Sequence, residues 1–322
     1  MARTRQQPAA AAVLPVLPPV PGWARSGAGV TDIAAAFQAG AALAALDARV
    51  RADARAAPFA GAWRRRLALK AAAASARIAR RGEDEASLRD ALLLRHGGAD
   101  PGPAGRLLVA WRGLDRSAPL AAPLVGDAVL HVAETLSLTM DDALRVAIAE
   151  VRQLAASAAA APFAAAQAAR VVVAQRPDAE IFALWLADAV LAARLSWPRP
   201  LPLIAGALGH PSLRSGGRRP HPGDASWTLT CCLAYGRAAA EACDLFAALG
   251  RSAQNLLTVA PRLRARGAGA VIKTLLDEDA VLASARRSAI SDRGARRLFD
   301  RLVALGGVRE LTGRPTFRLY GL

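Results

Sequence analysis

A chain of 322 residues is long enough to bury a substantial core, as one large domain or as two smaller ones. Its hydrophobic fraction of 53% is rich in alanine and only 5% of the residues are aromatic, which argues against an aromatic-rich β-sandwich and for close-packed helices. The net charge of +16 directs attention to polyanionic partners, and three cysteines, Cys231, Cys232 and Cys243, are too few for a disulfide-built scaffold and fit a reducing cytoplasm.

The expected fold is mainly α, with a Pro/Ala-rich arm over 1–22, a helical body over 23–268 and a smaller unit over 269–322. In the arm, Pro15, Pro18, Pro19 and Pro21 interrupt the apolar run well before signal-peptide length. Thr31 to Arg51 carries Ile33, Phe37, Leu43, Leu46 and Val50 among alanines and reads as helix, closed by Pro58. Trp63 to Leu94 holds two helical patterns that part near Gly82, with Glu83, Asp84 and Glu85 suited to the second N-terminus. His96 to Pro103 has the glycine and proline density of a connector before Ala104 to Leu114 resumes the helical pattern.

Beyond a break between Ser117 and Pro123, Asp127 to Ala161 reads as helices. Pro162 and Pro177 bracket a further one, and Asp178 is placed to cap Ile181 to Leu195. That last stretch is the most apolar of this region, but it is short for a bilayer and contains Asp188 and Arg194, so it reads as a buried helix and no membrane partner is expected. Leu201 to Asp224 is irregular and reads as an exposed loop. Ser226 to Leu249 returns to helix, and Asn255 to Arg266 ends in a basic segment before the boundary at Gly267 and Gly269.

Little in the body has the spacing of a catalytic or metal site. Asp141, Asp142 and Glu150 form a carboxylate group without a histidine at ligand spacing and read as caps or a solvated face. His210 and His221 with the three cysteines lack a CxxC or HxxxH turn, and Asp127, His131 and Ser137 lack a GxSxG elbow. Neither GxGxxG after a strand nor GxxxxGK occurs, so no nucleotide cofactor is expected.

The last stretch is more specific. From Arg251 to Leu322 there are 14 Lys and Arg against 6 Asp and Glu, half of the whole net charge. Val271, Ile272, Leu275 and Leu276 mark a first helix, Leu282 to Ala289 a short second one, and Ser291 to Leu305 a third. In the third, Ala295, Leu298, Phe299, Leu302 and Leu305 make an apolar stripe, Ser291 is the N-cap candidate, and Gly306 and Gly307 provide the stop. Strands over Val308 to Leu311 and Thr316 to Tyr320 follow, joined by Thr312, Gly313, Arg314 and Pro315. Three helices and a hairpin are the winged-helix order. Such a unit would place Arg293, Arg296, Arg297 and Arg301 against double-stranded DNA from the third helix, and Arg314 and Arg318 from the hairpin. The alternative for this unit is protein contact or dimerisation.

The segments FAGAWRRRLALKAAAASARIARRGEDEASLRDALLLR, ALWLADAVLAARLSWPRPLPL and FDRLVALGGVRELTGRPTFRLYGL resemble the bacterial family of domain of unknown function 1403, a likeness that covers most of the chain beyond the arm. A second resemblance is to Fic-type proteins, which place a helical nucleotidyl-transfer domain before a winged helix with an RELTGR-like hairpin. Ser75 to Arg81 is similar to their inhibitory-helix motif, with Ala79 where the glutamate belongs. His210 to Arg218, HPSLRSGGR, is similar to their HPFx[DE]GNGR loop and keeps His210, Pro211, Gly217 and Arg218, with Arg214 in place of the acidic metal ligand. In another register the loop falls near Gln175 to Glu180 and has no histidine. What this second resemblance implies is impaired or absent AMP transfer, with His210 and Arg218 as the catalytic pair of the enzyme alternative.

Overall fold

The computed structural model describes residues 14, 16–25, 31–52, 56–95, 99–116, 127–263, 265, 267–283 and 291–322. Among them are twelve α-helices and one small antiparallel sheet, so the protein is mainly helical. The chain forms two compact units. One comprises Pro18–Ala52 and Arg64–Leu245, the other Met1–Leu17, Asp53–Trp63 and Phe246–Leu322.

The larger unit contains α1 (Asp32–Val50), most of α2 (Ala60–Ile78), α3 (Glu85–Leu93), α4 (Gly102–Arg116), α5 (Asp127–Thr135), α6 (Asp142–Ala156), α7 (Ala161–Gln175), α8 (Glu180–Arg194), the single turn α9 (Ile204–Ala207) and the first part of α10 (Trp227–Val259). Polar caps explain several starts. Thr31 accepts the Ala34 N–H, Asp84 that of Ser87 and Asp141 that of Leu144, each satisfying a donor the helix leaves open. At α8 the expected cap is not made: Asp178 instead pairs with Arg176 at 2.7 Å, and the residue before the helix, Ala179, supplies no side-chain bond.

The centre of this unit is α8, whose residues Phe182 to Ala192 are all buried. It packs on α6 and α7, and the alanines at 164, 165, 166, 168 and 169 of α7 keep that helix thin enough for close approach. Four tryptophans lock the bundle through their ring N–H groups. Trp111 donates to Ser75 Oγ at 2.8 Å, Trp185 to the Ala110 carbonyl at 3.1 Å, Trp197 to Asp47 at 2.9 Å and Trp227 to the Ala166 carbonyl at 2.9 Å. Each thus buries a large apolar body without stranding its donor.

Leu201 to Leu208 is not the exposed loop that its composition suggests; nearly all of it is buried. The reason lies on α8, where the wholly buried Asp188 carboxylate accepts the backbone N–H groups of Leu203 at 2.7 Å and Ile204 at 3.2 Å. Among the described residues α1 alone is long and apolar enough to cross a membrane, by length and composition. It also carries a buried arginine, Arg49, which donates to the Ala45 and Pro18 carbonyls.

The smaller unit contains the end of α10, α11 (Ala268–Asp277), β1 (Val281–Leu282), α12 (Asp292–Ala304), β2 (Arg309–Glu310) and β3 (Leu319–Gly321). The strands form one antiparallel sheet in the order β1-β3-β2, with Val281 opposite Tyr320 and Glu310 opposite Tyr320 on the other side. Leu282 therefore belongs to a strand and does not begin a helix, Ala283 follows as a bend, and residues 284–289 of the expected second helix lie outside the described residues. The two anticipated strands are present but shorter than the sequence pattern suggests. Phe59, Trp63 and Phe246 cluster with ring centroids 4.7 and 5.1 Å apart, and Phe299 of α12 stacks on Tyr320 of β3 at 4.5 Å. Gly307 passes so close to α10 that a Cβ there would stand 2.7 Å from Val259 Cγ2.

Candidate nucleic-acid interface

Helix α12 is built from both ends. Ser291 accepts the Gly294 N–H at 3.2 Å, and the helix stops where Gly306 turns to a φ of 70°, a left-handed conformation that glycine adopts without strain. Ala295, Leu298, Phe299 and Leu302 are buried. At about 100° per residue these four centre on one side, and Arg293, Arg296, Arg297 and Arg301 span an arc of roughly 140° on the opposite side. All four arginines are exposed, and none forms an ion pair among the described residues. The geometry leaves four guanidinium groups in solvent on one face. Asp300 falls inside the same arc and is also exposed, so the field of this face is mixed at one point.

The β2–β3 hairpin is braced by Glu310. Its carboxylate accepts the backbone N–H groups of Thr312 at 2.8 Å and Gly313 at 2.7 Å, and also the Thr312 hydroxyl. Partial burial would raise the Glu310 pKa, but these bonds, with the Arg318 charge nearby, hold the carboxyl below its ordinary value. On the far side of the loop Arg318 Nε donates to the Arg314 carbonyl at 3.0 Å. Arg318 is exposed and Arg314 half-buried. Between them stands Phe317, 66% exposed with a φ of 53°. Sequence periodicity missed both Glu310 and Phe317. The pattern over Thr316 to Tyr320 places Phe317 in a strand, and only the Glu-x-Thr-Gly spacing signals the brace.

The residues of the enzyme alternative sit elsewhere, in the larger unit. His210 Nδ1 accepts the Ser212 N–H at 3.1 Å and caps a single 3-10 turn, and partial burial together with the Arg237 charge lowers its pKa. Ser215 and Arg218 close a tight turn by two backbone bonds of 3.1 and 3.0 Å, with Gly216 and Gly217 at φ values of 57° and 77°. Arg218 projects into solvent from this turn. The neighbouring Arg219 grips Glu180 with both terminal nitrogens, one bond measuring 2.6 Å. This is the geometry of a braced surface turn, and the Fic-type likeness finds no support in it.

The remaining candidates have local roles. Ser137 Oγ accepts from Arg106 at 3.1 Å, and no hydrogen bond joins it to His131 or Asp127 among the described residues. Asp141 caps α6 and receives Arg176 at 2.7 Å, whereas Asp142 pairs with Arg145 at 2.9 Å. Cys231, Cys232 and Cys243 are free and buried, and burial pushes the thiols of Cys232 and Cys243 up to about 11, which keeps them protonated and poorly nucleophilic. Among the described residues no group of three His, Cys, Asp or Glu side chains is placed to hold a metal ion.

No curated protein matches the sequence. A family described as protein of unknown function (DUF1403) matches residues 9–322, nearly the whole length. The chain belongs to the DUF1403 family.

Proposed function

We infer that the smaller unit binds duplex DNA as a winged helix, in a regulator-like role. The observation that carries this reading is the set of four exposed arginines on α12, without an ion pair among the described residues and facing away from its buried stripe. Guanidinium groups in that arrangement suit phosphates and guanine edges in a major groove. The order α11, β1, α12, β2, β3 and the strand order β1-β3-β2 also favour the reading. Arg314 and Arg318 then approach the backbone or minor groove from the hairpin.

The test is fluorescence anisotropy of the full chain on a mixed-sequence duplex across a salt series. Changing Arg293, Arg296 and Arg297 together to alanine is expected to weaken binding by a few kcal/mol. The slope against log salt should fall by about 0.9 for each phosphate contact removed. Undiminished salt-dependent binding by the folded triple variant would remove α12 from the interface.

A further inference from the structure

The hairpin loop presents an exposed apolar ring on a strained backbone. Phe317 is 66% exposed, and its φ of 53° is a left-handed backbone conformation that side-chain-bearing residues rarely adopt. Exposure and strain on one residue need an explanation beyond the fold, since β3 begins only at Leu319 and Phe317 pairs with neither neighbouring strand. The loop is also held in shape. Glu310 ties Thr312 and Gly313 on one side, and the Arg318 side chain ties the Arg314 carbonyl on the other. A ring carried on a braced loop loses little freedom on contact. Arg318 adjoins it, and the arginine face of α12 belongs to the same compact unit.

Resting on the duplex-DNA reading above, we propose that Phe317 is a wedge that enters the minor groove of the bound duplex and partly unstacks one base step. Flat apolar side chains do this in groove-bending proteins, where flanking cations neutralise the phosphates on either side. The arginines supply attraction to the phosphates, and the ring favours steps that open easily, such as pyrimidine–purine steps.

The experiment compares the full-length wild type, Phe317→Gly and Phe317→Leu on mixed-sequence duplexes carrying 2-aminopurine, read by anisotropy and by the fluorescence rise that follows unstacking. Glycine accepts the φ of this position, so Phe317→Gly should fold with unchanged or raised thermal stability. It is expected to bind about tenfold more weakly with an unaltered salt slope, and to lose the 2-aminopurine rise. Phe317→Leu should recover most of the affinity. Wild-type affinity and fluorescence in Phe317→Gly would overturn the wedge while leaving the DNA reading intact, and so would a loss that leucine fails to recover. If the wild type itself shows no salt-dependent duplex binding, the DNA reading fails and the wedge with it.

Discussion

Replacing Asp188 by asparagine should change the pH dependence of stability, because this carboxyl sits entirely inside the larger unit. Burial pushes its pKa up to about 7, against the pull of the Leu203 and Ile204 N–H groups, and an unfolded chain would hold it near 3.8. The buried Tyr235 hydroxyl also faces the carboxylate, without a bond of ordinary geometry. Because the folded state holds the proton more tightly, the benefit is fully present below pH 3.8 and is lost as pH rises through about 7. A gap of about three pH units corresponds to roughly 4 kcal/mol over the whole range, most of which falls between pH 5 and pH 8. Asparagine keeps an oxygen for the shorter Leu203 bond, leaves Ile204 without an acceptor at a cost of about 1 kcal/mol, and does not titrate. The wild type is therefore expected to lose about 3 kcal/mol relative to Asp188→Asn from pH 5 to pH 8. Urea unfolding followed by tryptophan fluorescence measures this, since Trp111, Trp185, Trp197 and Trp227 are buried in the same unit. Parallel stability profiles for the two proteins would refute the raised pKa, and a difference of the opposite sign would show a carboxylate stabilised in its charged form.

Two further changes probe the smaller unit. Gly307→Ala places a methyl 2.7 Å from Val259 Cγ2 and should destabilise that unit by about 1–3 kcal/mol, read as an earlier thermal transition. Asp300→Asn removes the one carboxylate within the arginine arc of α12 and should tighten duplex binding several-fold at low salt, an advantage that fades as salt screens the face.

What could be read from the sequence was what is decided locally. Helix α12 was legible because its stripe, its Ser291 cap and its Gly306 stop all lie within one short window, and the caps of α1, α3 and α6 belong to the same class. Elements whose conformation depends on a distant partner were not legible. β1 has two residues and exists only because Val281 and Leu282 pair with Tyr320 and Leu319. Leu201 to Leu208 resembled a loop because nothing nearby reveals that Asp188 satisfies its amides. α10 runs on through Gly250, where sequence reading ended a helix. A Cβ at Gly250 would meet the Phe59 ring at 3.2 Å, so the missing side chain serves packing and does not break the helix. Of the candidate interface, the arginines were visible as periodic charge, but the brace and the ring on the hairpin depend on backbone geometry that periodicity does not encode.

The strand order β1-β3-β2 has a consequence for the sequence of events in folding. The middle strand is the last of the three along the chain, so β1 and β2 have no sheet partner until Leu319–Gly321 arrives. Closing β1 onto β3 spans nearly forty residues and includes all of α12, which makes the sheet a late, non-local step compared with the helices around it. During synthesis, the helix with the arginine face can form before the strands on either side of it are joined. Its stacking partner Tyr320 arrives with the same final segment, so docking of α12 and completion of the sheet should occur as one event.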